Sequence, residues 1–538
     1  MFDHRRFLPP LPFLVPFMIA MVLLQTAEMQ HAAGQSAARL TPLSPVVTNH
    51  YLVVYRDATI PTDAALHTGL AGARVVQRHE RMGVAAVQAN GTADDATNMM
   101  RLAAQPDVEF VVHDRMVYAH QISVGPASGY HNPLARPLTP VAVAVNQPAP
   151  VTAATDSYYN SPQGWAVRQV GGYGKNVAGG PAHGPWDTTM GRGVRIAILD
   201  SGVDAGHPDI APNLVLNLSE VNQTPMTGMP SVCDDGSPQD QQGHGTWTAS
   251  LAAGALGEGT GLVVGVAPEA SILNIKVLER IPDTSVAGAS VAQQCSTGEA
   301  SGLMSWVLQG IDDALAQHAD VISMSLGSMV DLTTGDGAGL KTLFDRATYA
   351  ASQGGAVIVA AAGNDGFDFS NPRYIELPAQ ARNVLVIVAS TNASCGENLN
   401  AGAVCVAAPV TMPYYSNRGG PLNALAAPGG DMPAGADDAA TGWVRGACSS
   451  GKTGTVVGVP SDAAHSYGCF NLGHTAYVQA MGTSAAAPLA AGVAALLKAA
   501  HPGWDAATII AAMRSSATVS ASLAYPQVNA AAAFGMGN

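Results

Sequence analysis

Four polar residues have the chemical types needed for acyl transfer, and each stands where a predicted strand ends or a predicted helix begins. Asp200 directly follows one apolar run, Asn364 follows a second, and His244 opens an Ala-rich stretch. Ser484 comes just before a long apolar run near the end of the chain. Together they supply an acid, an amide donor, a base and a nucleophile, which favours an active site.

The segment around Ser484 has the pattern of a buried helix that begins at a tight turn. Residues 489–498 are rich in Ala and Leu and apolar almost all round, and the helix is expected to end near residue 501. Pro488 is expected in or near its first turn, where backbone N–H groups lack partners. Gly482 allows a tight turn, so Ser484 lies beside N–H groups that could bind a developing oxyanion.

Each of the four residues also has an ordinary structural explanation. A serine at a helix start is often only an N-cap, as Ser484 would be. Asp200 can cap a turn, His244 can be a structural donor, and Gly363-Asn364 is a common turn sequence. The combination of the four types, rather than any one residue, carries the prediction.

The chain from about residue 190 onward alternates short apolar strands with helical stretches. The predicted strands are residues 194–199, 272–277, 321–325, 356–360 and 384–388, and the predicted helices are residues 246–256, 302–317 and 340–352. This alternation predicts an α/β fold with a parallel sheet covered on both faces. Sites in such sheets form at the carboxyl ends of the strands, where Asp200 and Asn364 lie.

The first third of the chain has a different organisation. Residues 48–120 read as strand–helix–strand–strand–helix–strand, which predicts a small α+β domain. Residues 121–157 are rich in Pro, Ala, Val and Ser without a clear period, and are predicted to be a linker. Residues 1–33 combine a positive start, an apolar body and small residues, as in a secretory signal. A signal anchor is the alternative, but four prolines would disturb a spanning helix.

Charge and cysteine content restrict the class of protein. A formal net charge of −14 over 538 residues argues against a nucleic-acid partner, and no later stretch is continuous enough to span a membrane. The six cysteines permit fifteen connectivities. Proximity in sequence favours Cys395/Cys405 and Cys448/Cys469, which leaves Cys233/Cys295. Disulfides and a signal both indicate an oxidising compartment, so we expect a secreted protein, extracellular or periplasmic.

The chain resembles the subtilisin-like serine proteases (subtilases, peptidase S8) from about residue 160 to its end. The order Asp, His, Ser is that of this family. The matching motifs are Asp200-Ser-Gly-Val-Asp204, His207-Pro-Asp209, Gly243-His-Gly-Thr246, Gly265-Val-Ala-Pro268, Ser325-Leu-Gly327, Ala362-Gly-Asn364 and Gly482-Thr-Ser484. Residues 48–120 resemble the I9-type inhibitory propeptide of the same family. The resemblance implies a three-layer subtilisin-like fold with a mostly parallel sheet, preceded by that α+β propeptide.

The resemblance also implies a role for each matching residue. Ser484 would attack the peptide carbonyl, His244 would move the proton, Asp200 would fix the imidazole tautomer, and Asn364 would donate to the oxyanion. The expected substrate-binding residues form two backbone segments, namely Ser325, Leu326 and Gly327 in one and Ala362 and Gly363 in the other. A catalytic domain over residues 158–538 would act as a serine endopeptidase after removal of the propeptide near His120.

The resemblance further implies which partners and cofactors to expect. Expected partners are protein or peptide substrates and the chain's own propeptide as an intramolecular inhibitor, with no membrane after signal removal. The mature enzyme is expected to be a monomer and to need no cofactor. A structural calcium ion is left open, because Asp209 matches a family ligand but the loop at residues 257–261 lacks the usual asparagine. Asp234 and Asp235 are an alternative source of ligands, and a solvated acidic loop is the simpler explanation for them.

Several departures keep other functions under consideration. Ala485 stands where the family usually has Met, and Trp247 where it usually has a second His. The segment around Ser484 also resembles the acid peptidases called sedolisins, but His244 and Asn364 occupy positions that those enzymes fill with acids. A neutral or alkaline pH optimum is therefore expected. An inactive binding protein on the same fold is the third alternative, and no G-x-S-x-G elbow supports an esterase. The inserted segments at about 280–298, 392–412 and 431–475 are expected near the cleft.

Overall fold

The computed structural model describes residues 43–120, 135–137, 164–172, 184–221, 231–256, 263–285, 287–391, 410–431, 443–449, 468–470, 472 and 476–536. The predicted signal at residues 1–33, most of the predicted linker, and the Cys395/Cys405 pair lie outside these residues. Among the described residues, one helix is long and apolar enough to cross a membrane. This helix, Thr483–Ala500, has 83 % of its apolar window buried inside the protein, as a core helix does.

Residues 43–120 form a small α+β unit, here called the N-terminal unit. Its elements are β1 (Val46–Tyr55), α1 (Ala64–Leu70), β2 (Ala73–His79), β3 (Val84–Ala89), α2 (Asp95–Ala103) and β4 (Val108–Ala119). The strands are antiparallel in the order β2-β3-β1-β4. Successive β1 residues face opposite ways, so Tyr51 and Val53 lie in this unit's own core while Leu52 and Val54 join a core shared with the rest of the chain. The N-terminal unit is thus packed through one face of its sheet.

The predicted linker contains one described element, a short strand. Strand β5 (Ala135–Pro137) pairs antiparallel with residues 478–480 near the end of the chain. The sequence predicts no regular structure there, because Ala and Pro are not strand-forming residues. Pairing with an existing strand edge determines the conformation instead.

A seven-stranded parallel sheet forms the centre of the remaining chain. Its strands are β6 (Arg195–Asp200), β7 (Leu214–Ser219), β8 (Ser271–Lys276), β11 (Val321–Met324), β13 (Val357–Ala361), β15 (Val384–Ser390) and β16 (Leu425–Pro428). They lie in the order β16-β15-β13-β11-β6-β8-β7, and every neighbouring pair is parallel. The sequence predicts five of them. It misses β7, a partly exposed edge strand, and β16, a four-residue strand of Leu, two Ala and Pro.

Helices cover both faces of this sheet. The described helices of this part of the chain are α3 (Trp165–Gln169), α4 (His244–Ala253), α5 (Val291–Ser296), α6 (Met304–Ala316), α7 (Gly335–Gln353), α8 (Thr483–Ala500), α9 (Ala506–Ser515) and α10 (Ala530–Ala533). In β6, Ile196 and Ile198 enter the core under α4 and α8, whereas Ala197 and Leu199 enter the core under α6 and α7. A strand buried on both faces must be apolar at every position, which is why the strands read as continuous apolar runs. The predicted three-layer α/β fold is confirmed.

Further strands lie outside the seven-stranded sheet, four in the sheet of the N-terminal unit and two in a separate three-stranded sheet with β5. They are β9 (Leu278–Arg280), β10 (Ala300–Leu303), β12 (Leu326–Asp331), β14 (Tyr374–Leu377), β17 (Val444–Ala447) and β18 (Tyr477–Ala480). Strand β4 extends to Ala119, because its second half pairs with β10 and β12. The prediction of a helix from residue 302 is wrong by two residues, since β10 continues to Leu303.

Helix α8 begins earlier than the position of its proline suggests. It starts at Thr483, so Pro488 lies beyond the first turn rather than in or near it. A proline has no N–H to bond the carbonyl four residues earlier, which here is that of Ser484. Ser325 Oγ donates to the Ser484 carbonyl oxygen at 3.0 Å and satisfies it instead. The hydrogen bond from Ser325, which follows β11, therefore joins that strand to the start of this helix.

Candidate active site

Asp200 and His244 meet above the carboxyl edge of the central sheet. Asp200 is the last residue of β6, and His244 is the first residue of α4. His244 Nδ1 lies 2.7 Å from Asp200 Oδ1, and both residues are 1 % exposed. Thr248 Oγ1 donates to Asp200 Oδ2 at 3.2 Å. A carboxylate at this distance selects the imidazole tautomer with a proton on Nδ1, which leaves Nε2 free to accept one.

Ser484 lies in the first turn of α8 with its hydroxyl directed at carbonyl groups. Its Oγ is 3.3 Å from the His120 carbonyl oxygen and 3.3 Å from that of Ser325. His244 Nε2 is buried without a hydrogen-bond partner among the described atoms. In this arrangement the Ser484 hydroxyl is therefore hydrogen-bonded to His120, which follows β4, and to Ser325 rather than to His244.

Asn364 contacts the same carbonyl group from the other side. Its Nδ2 donates to the His120 carbonyl oxygen. Its Oδ1 accepts from Thr483 N at 2.9 Å and from Thr483 Oγ1 at 2.7 Å. Because Oδ1 is held by Thr483, the amide presents its donor to His120. A serine hydroxyl and an amide donor thus converge on one peptide carbonyl.

The residues before His120 lie as an added strand between β10 and β12. In β12, Leu326 pairs with Ala119 and Gly327 with Tyr118. In β10, Ser301 pairs with Tyr118. The His120 amide donates to the Ser325 carbonyl oxygen at 3.2 Å. This pairing places three of the predicted substrate-binding residues, Ser325, Leu326 and Gly327, along an extended peptide.

The two residues of the second predicted binding segment, Ala362 and Gly363, lie in different surroundings. A Cβ built on Gly363 would come within 3.4 Å of the His120 ring, so this glycine lies beside the bound side chain. Ala362 is completely buried and belongs to the core. Strand β10, with Ser301 and Gly302, pairs with β4 on the other side and is not predicted from the sequence. Its four residues are Ala, Ser, Gly and Leu, which carry no strand signal.

Asp240 supports His244 and is a further site residue that sequence reasoning misses. The two oxygens of its carboxylate accept from Gly243 N at 2.7 Å, Thr246 N at 2.9 Å and Thr246 Oγ1 at 2.6 Å. Ser201 Oγ also donates to it at 3.0 Å. Burial raises the pKa of Asp240, and these donors act in the opposite direction. An acidic residue shortly before a predicted helix start is the signal that points to it.

The departure at Trp247 is accommodated by aromatic packing against His244. The Trp247 and His244 ring centroids are 6.0 Å apart, and Phe470 lies 6.3 Å from His244. Trp247 Nε1 donates to the Val444 carbonyl oxygen at 3.3 Å. The imidazole therefore has an apolar wall where the family usually has a second His.

Two predicted disulfides are confirmed, Cys233–Cys295 and Cys448–Cys469. A Cβ on Gly243 would overlap Cys448 Sγ, so the second disulfide packs directly on the residue before His244. The buried Arg280 guanidinium donates to the carbonyls of Gln241 at 2.8 Å, Gly468 at 3.2 Å and Ser296 at 2.8 Å. Arg280 thereby joins both cysteine segments to the loop that carries His244.

The candidate calcium ligands are in contact with protein groups. Asp209 accepts from the Tyr477 hydroxyl at 2.8 Å. Asp234 is paired with the Lys276 ammonium at 2.7 Å, and Asp235 accepts from Ser237 N at 2.8 Å. In the part of the chain that the structure describes, no group of three or more His, Cys, Asp or Glu could hold a metal ion. The loop at residues 257–261 lies outside that part.

The chain belongs to the subtilase family, whose model matches residues 191–537. The match begins just before β6 and includes Asp200, His244, Asn364 and Ser484. Enzymes of this family are generally independent of cofactors, and calcium is an optional structural component.

Two curated relatives illustrate the similarity in sequence. Subtilisin E from Bacillus subtilis is 31 % identical over 329 residues, which is 61 % of this chain and 61 % of that protein. Thermitase from Thermoactinomyces vulgaris is 36 % identical over 207 residues, or 38 % of this chain and 58 % of thermitase. The alignments therefore span less than two thirds of these relatives.

Two solved structures illustrate the similarity in fold. Fervidolysin from Fervidobacterium pennivorans, a keratinolytic enzyme related to subtilisin, has a TM-score of 0.58 at 19 % identity, covering 92 % of this chain and 62 % of its own. The epidermin leader peptide processing serine protease from Staphylococcus aureus has a TM-score of 0.57 at 17 % identity, covering 90 % and 97 % respectively. At these identities the likeness establishes the shared fold.

Proposed function

We propose that this protein is the zymogen of a secreted serine endopeptidase that hydrolyses peptide bonds through an acyl-enzyme. Ser484 is the nucleophile, His244 its general base, Asp200 the residue that orients His244, and Asn364 the oxyanion donor. Membership of the subtilase family and the hydrogen bonds at the carboxyl edge of the sheet support this assignment.

The observation that carries the proposal is the position of the His120 carbonyl group. Its oxygen accepts from Asn364 Nδ2 and lies 3.3 Å from Ser484 Oγ. These are the two groups that an acyl-transfer site directs at a carbonyl under attack. The bond that follows His120 is therefore the substrate of the first reaction, in which the chain cuts itself between His120 and Gln121.

The N-terminal unit is the inhibitory propeptide in this proposal. Its last strand occupies the edges of both β10 and β12, which an incoming peptide would need. The cleaved unit stays bound through this strand pairing and through the apolar core that Leu52 and Val54 share with α6 and α7. Peptidase activity then appears when the unit dissociates or is digested.

Location and reaction conditions follow from the sequence features. A signal at residues 1–33 and the disulfides fit an oxidising exterior. A histidine base requires its neutral form, so hydrolysis is expected to be fastest at neutral or alkaline pH. An optimum near pH 4 would favour a sedolisin-like peptidase instead.

The test compares the intact mass of purified wild type with that of Ser484→Ala. Wild type is expected to lose a segment ending at His120 and to hydrolyse peptides, whereas the variant keeps the segment and is inactive. Ser515→Ala, an exposed serine on α9, is the matched control and should behave as wild type. If wild type and Ser484→Ala mature alike and neither cleaves peptide, the proposal fails and a binding protein on this fold replaces it.

A further inference from the structure

The side chain of His120 enters a buried pocket that contains a carboxyl group. His120 Nε2 lies 3.8 Å from Glu376 Oε1, which makes the two side chains neighbours at slightly more than hydrogen-bond distance. The exposed fractions are 8 % for His120 and 2 % for Glu376. Following convention, we call the residue whose carbonyl is attacked P1, so that His120 is P1 of the proposed self-cleavage.

The strand register places Glu376 in this pocket. Strand β14 pairs antiparallel with β12, and Glu376 lies opposite Met329, two residues beyond Gly327. A Cβ built on Gly327 would overlap both Glu376 Oε1 and the His120 ring. The glycine therefore leaves the space in which the carboxyl group and the P1 side chain meet.

Glu376 has no other described partner for its carboxyl group. The backbone N–H of Glu376 donates to Gln380 Oε1 at 2.8 Å, which fixes the main chain and leaves the side chain free to face the pocket. Among the described residues, His120 is the one basic side chain that approaches this carboxyl group, at 3.8 Å. The His120 Nε2 atom likewise has no hydrogen-bond partner there. Each group is thus the available partner of the other.

The chemistry of the pair is complementary. Burial, together with the negative charge of Asp365, raises the pKa of Glu376 well above its usual value. Burial and the charge of His244 lower the pKa of His120 to about 3. The pocket therefore favours a neutral carboxylic acid beside a neutral imidazole, which are a hydrogen-bond donor and an acceptor. An aromatic or aliphatic P1 side chain would leave the acid buried without a partner, which is costly.

We propose that Glu376 is the specificity-determining residue of the P1 pocket and that it selects peptides with histidine at P1. The inference rests on the proposed function, because it concerns the substrate of the same site. It applies to substrates in trans as well as to the chain's own His120–Gln121 bond. Glu376 does not touch the reacting carbonyl, so its replacement is expected to change selectivity more than catalysis.

The test uses fluorogenic peptides Val-Tyr-Ala-X, which copy residues 117–119 and vary X between His and Phe. The mature enzymes are wild type, Glu376→Met, Glu376→Gln and the control Glu269→Gln, whose carboxylate pairs with Arg192 on the surface. Active enzyme is counted by titration with a serine-directed phosphonate. We expect wild type and Glu269→Gln to prefer His over Phe by about tenfold in kcat/KM. Glu376→Met should lose or invert this ratio, and Glu376→Gln should retain part of it.

A second measurement uses self-cleavage and does not need the mature variant. His120→Phe should slow the loss of the N-terminal segment by about tenfold, and adding Glu376→Met should restore the rate. The inference is overturned if wild type prefers Phe, or if Glu376→Met leaves both ratios within twofold of wild type. Failure of the proposed function looks different, because no phosphonate would react and no peptide would be cleaved.

Discussion

Two buried aspartates accept hydrogen bonds from the starts of two helices. One lies in the loop that precedes its helix, and the other reaches its helix across the contact between the N-terminal unit and the rest of the chain. Asp240 accepts from Gly243 N, Thr246 N and Thr246 Oγ1 at the beginning of α4. Asp114, on β4 of the N-terminal unit, accepts from Ser305 N at 3.2 Å and Ser305 Oγ at 2.6 Å at the beginning of α6. Both carboxyl groups are fully buried, and burial raises the pKa of each.

The difference between them lies in what the carboxylate is attached to. Asp240 is part of the loop that carries His244, so its hydrogen bonds help to fix the geometry of the site. Asp114 is part of the proposed propeptide, so its hydrogen bonds disappear when that unit leaves. The same physical interaction, a carboxylate at a helix N-terminus, thus serves either rigid positioning or reversible attachment.

The largest expected effect concerns Asn364, whose side chain donates to the His120 carbonyl oxygen. Asn364→Ala removes the donor to the substrate carbonyl, and we expect kcat to fall about 100- to 1000-fold, the loss known for the corresponding donor of subtilisin. Asn364→Asp keeps an acceptor for Thr483 but lacks the donor, so it should lose a similar factor. Peptide hydrolysis per phosphonate-titrated site measures this. A loss below tenfold in both variants would contradict the oxyanion role.

Asp240→Asn should damage the mature enzyme itself. An amide has one acceptor oxygen in place of two, so several donors at the start of α4 lose their partner, and we expect a loss of about 3 kcal/mol in the free energy of unfolding. Denaturant unfolding and kcat are both measured. Asp235→Asn in the same loop is the control, because that carboxylate is less buried and accepts from Ser237 N and Gln241 Nε2. Equal stability of the two variants would contradict the special role of Asp240.

Asp114→Asn should leave the mature enzyme unchanged and alter only the pH dependence of propeptide release. Burial raises the pKa of Asp114 to about 6 from an ordinary 3.8, so binding of the unit takes up a proton. The contribution of Asp114 to the affinity of the cleaved unit is therefore fully present below about pH 4. It is lost as pH rises through about 6, which lowers that affinity by at most about 100-fold. Burial lowers the pKa of His79 in the same unit to about 4. The pH dependence that His79 adds has the opposite sign, because its contribution to binding is lost as pH falls. The difference between wild type and variant isolates Asp114.

This prediction is checked by the dissociation half-life of the cleaved unit, followed as gain of peptidase activity. Between pH 5 and pH 7.5 the half-life should shorten more in wild type than in Asp114→Asn. Asp107→Asn, an exposed residue of the same unit, should match wild type. Identical pH profiles for all three proteins would show that Asp114 is not a pH-dependent part of the contact.

The smallest expected effect concerns Thr248, which donates to the second oxygen of Asp200. Thr248→Val keeps the shape and removes this hydrogen bond, so kcat should fall about fivefold. Thr342→Val, on the exposed side of α7, is a control that should not change kcat. A fall of several hundredfold would mean that Thr248 positions the pair far more strongly than its single bond indicates.

Much of the fold could be predicted because buried elements leave local patterns. The five apolar runs and the Ala-rich helix after Ser484 are continuous, since each is covered on both sides. What could not be predicted are elements whose conformation is imposed by a neighbour. Strand β10 and strand β5 have little strand propensity, and both exist because another strand pairs with them.

The sequence by itself determined the residue types of the site, the family and the order of the main buried elements, because motifs and periodicity are local properties. Only the tertiary structure decided that Ser325 satisfies the carbonyl freed by Pro488, that Asp240 holds the loop of His244, and that Glu376 faces His120. The two members of each of these pairs lie between 4 and 256 residues apart in the chain. The Asp240 contact is local, whereas the other two depend on strand register and helix packing, which no single stretch of sequence specifies.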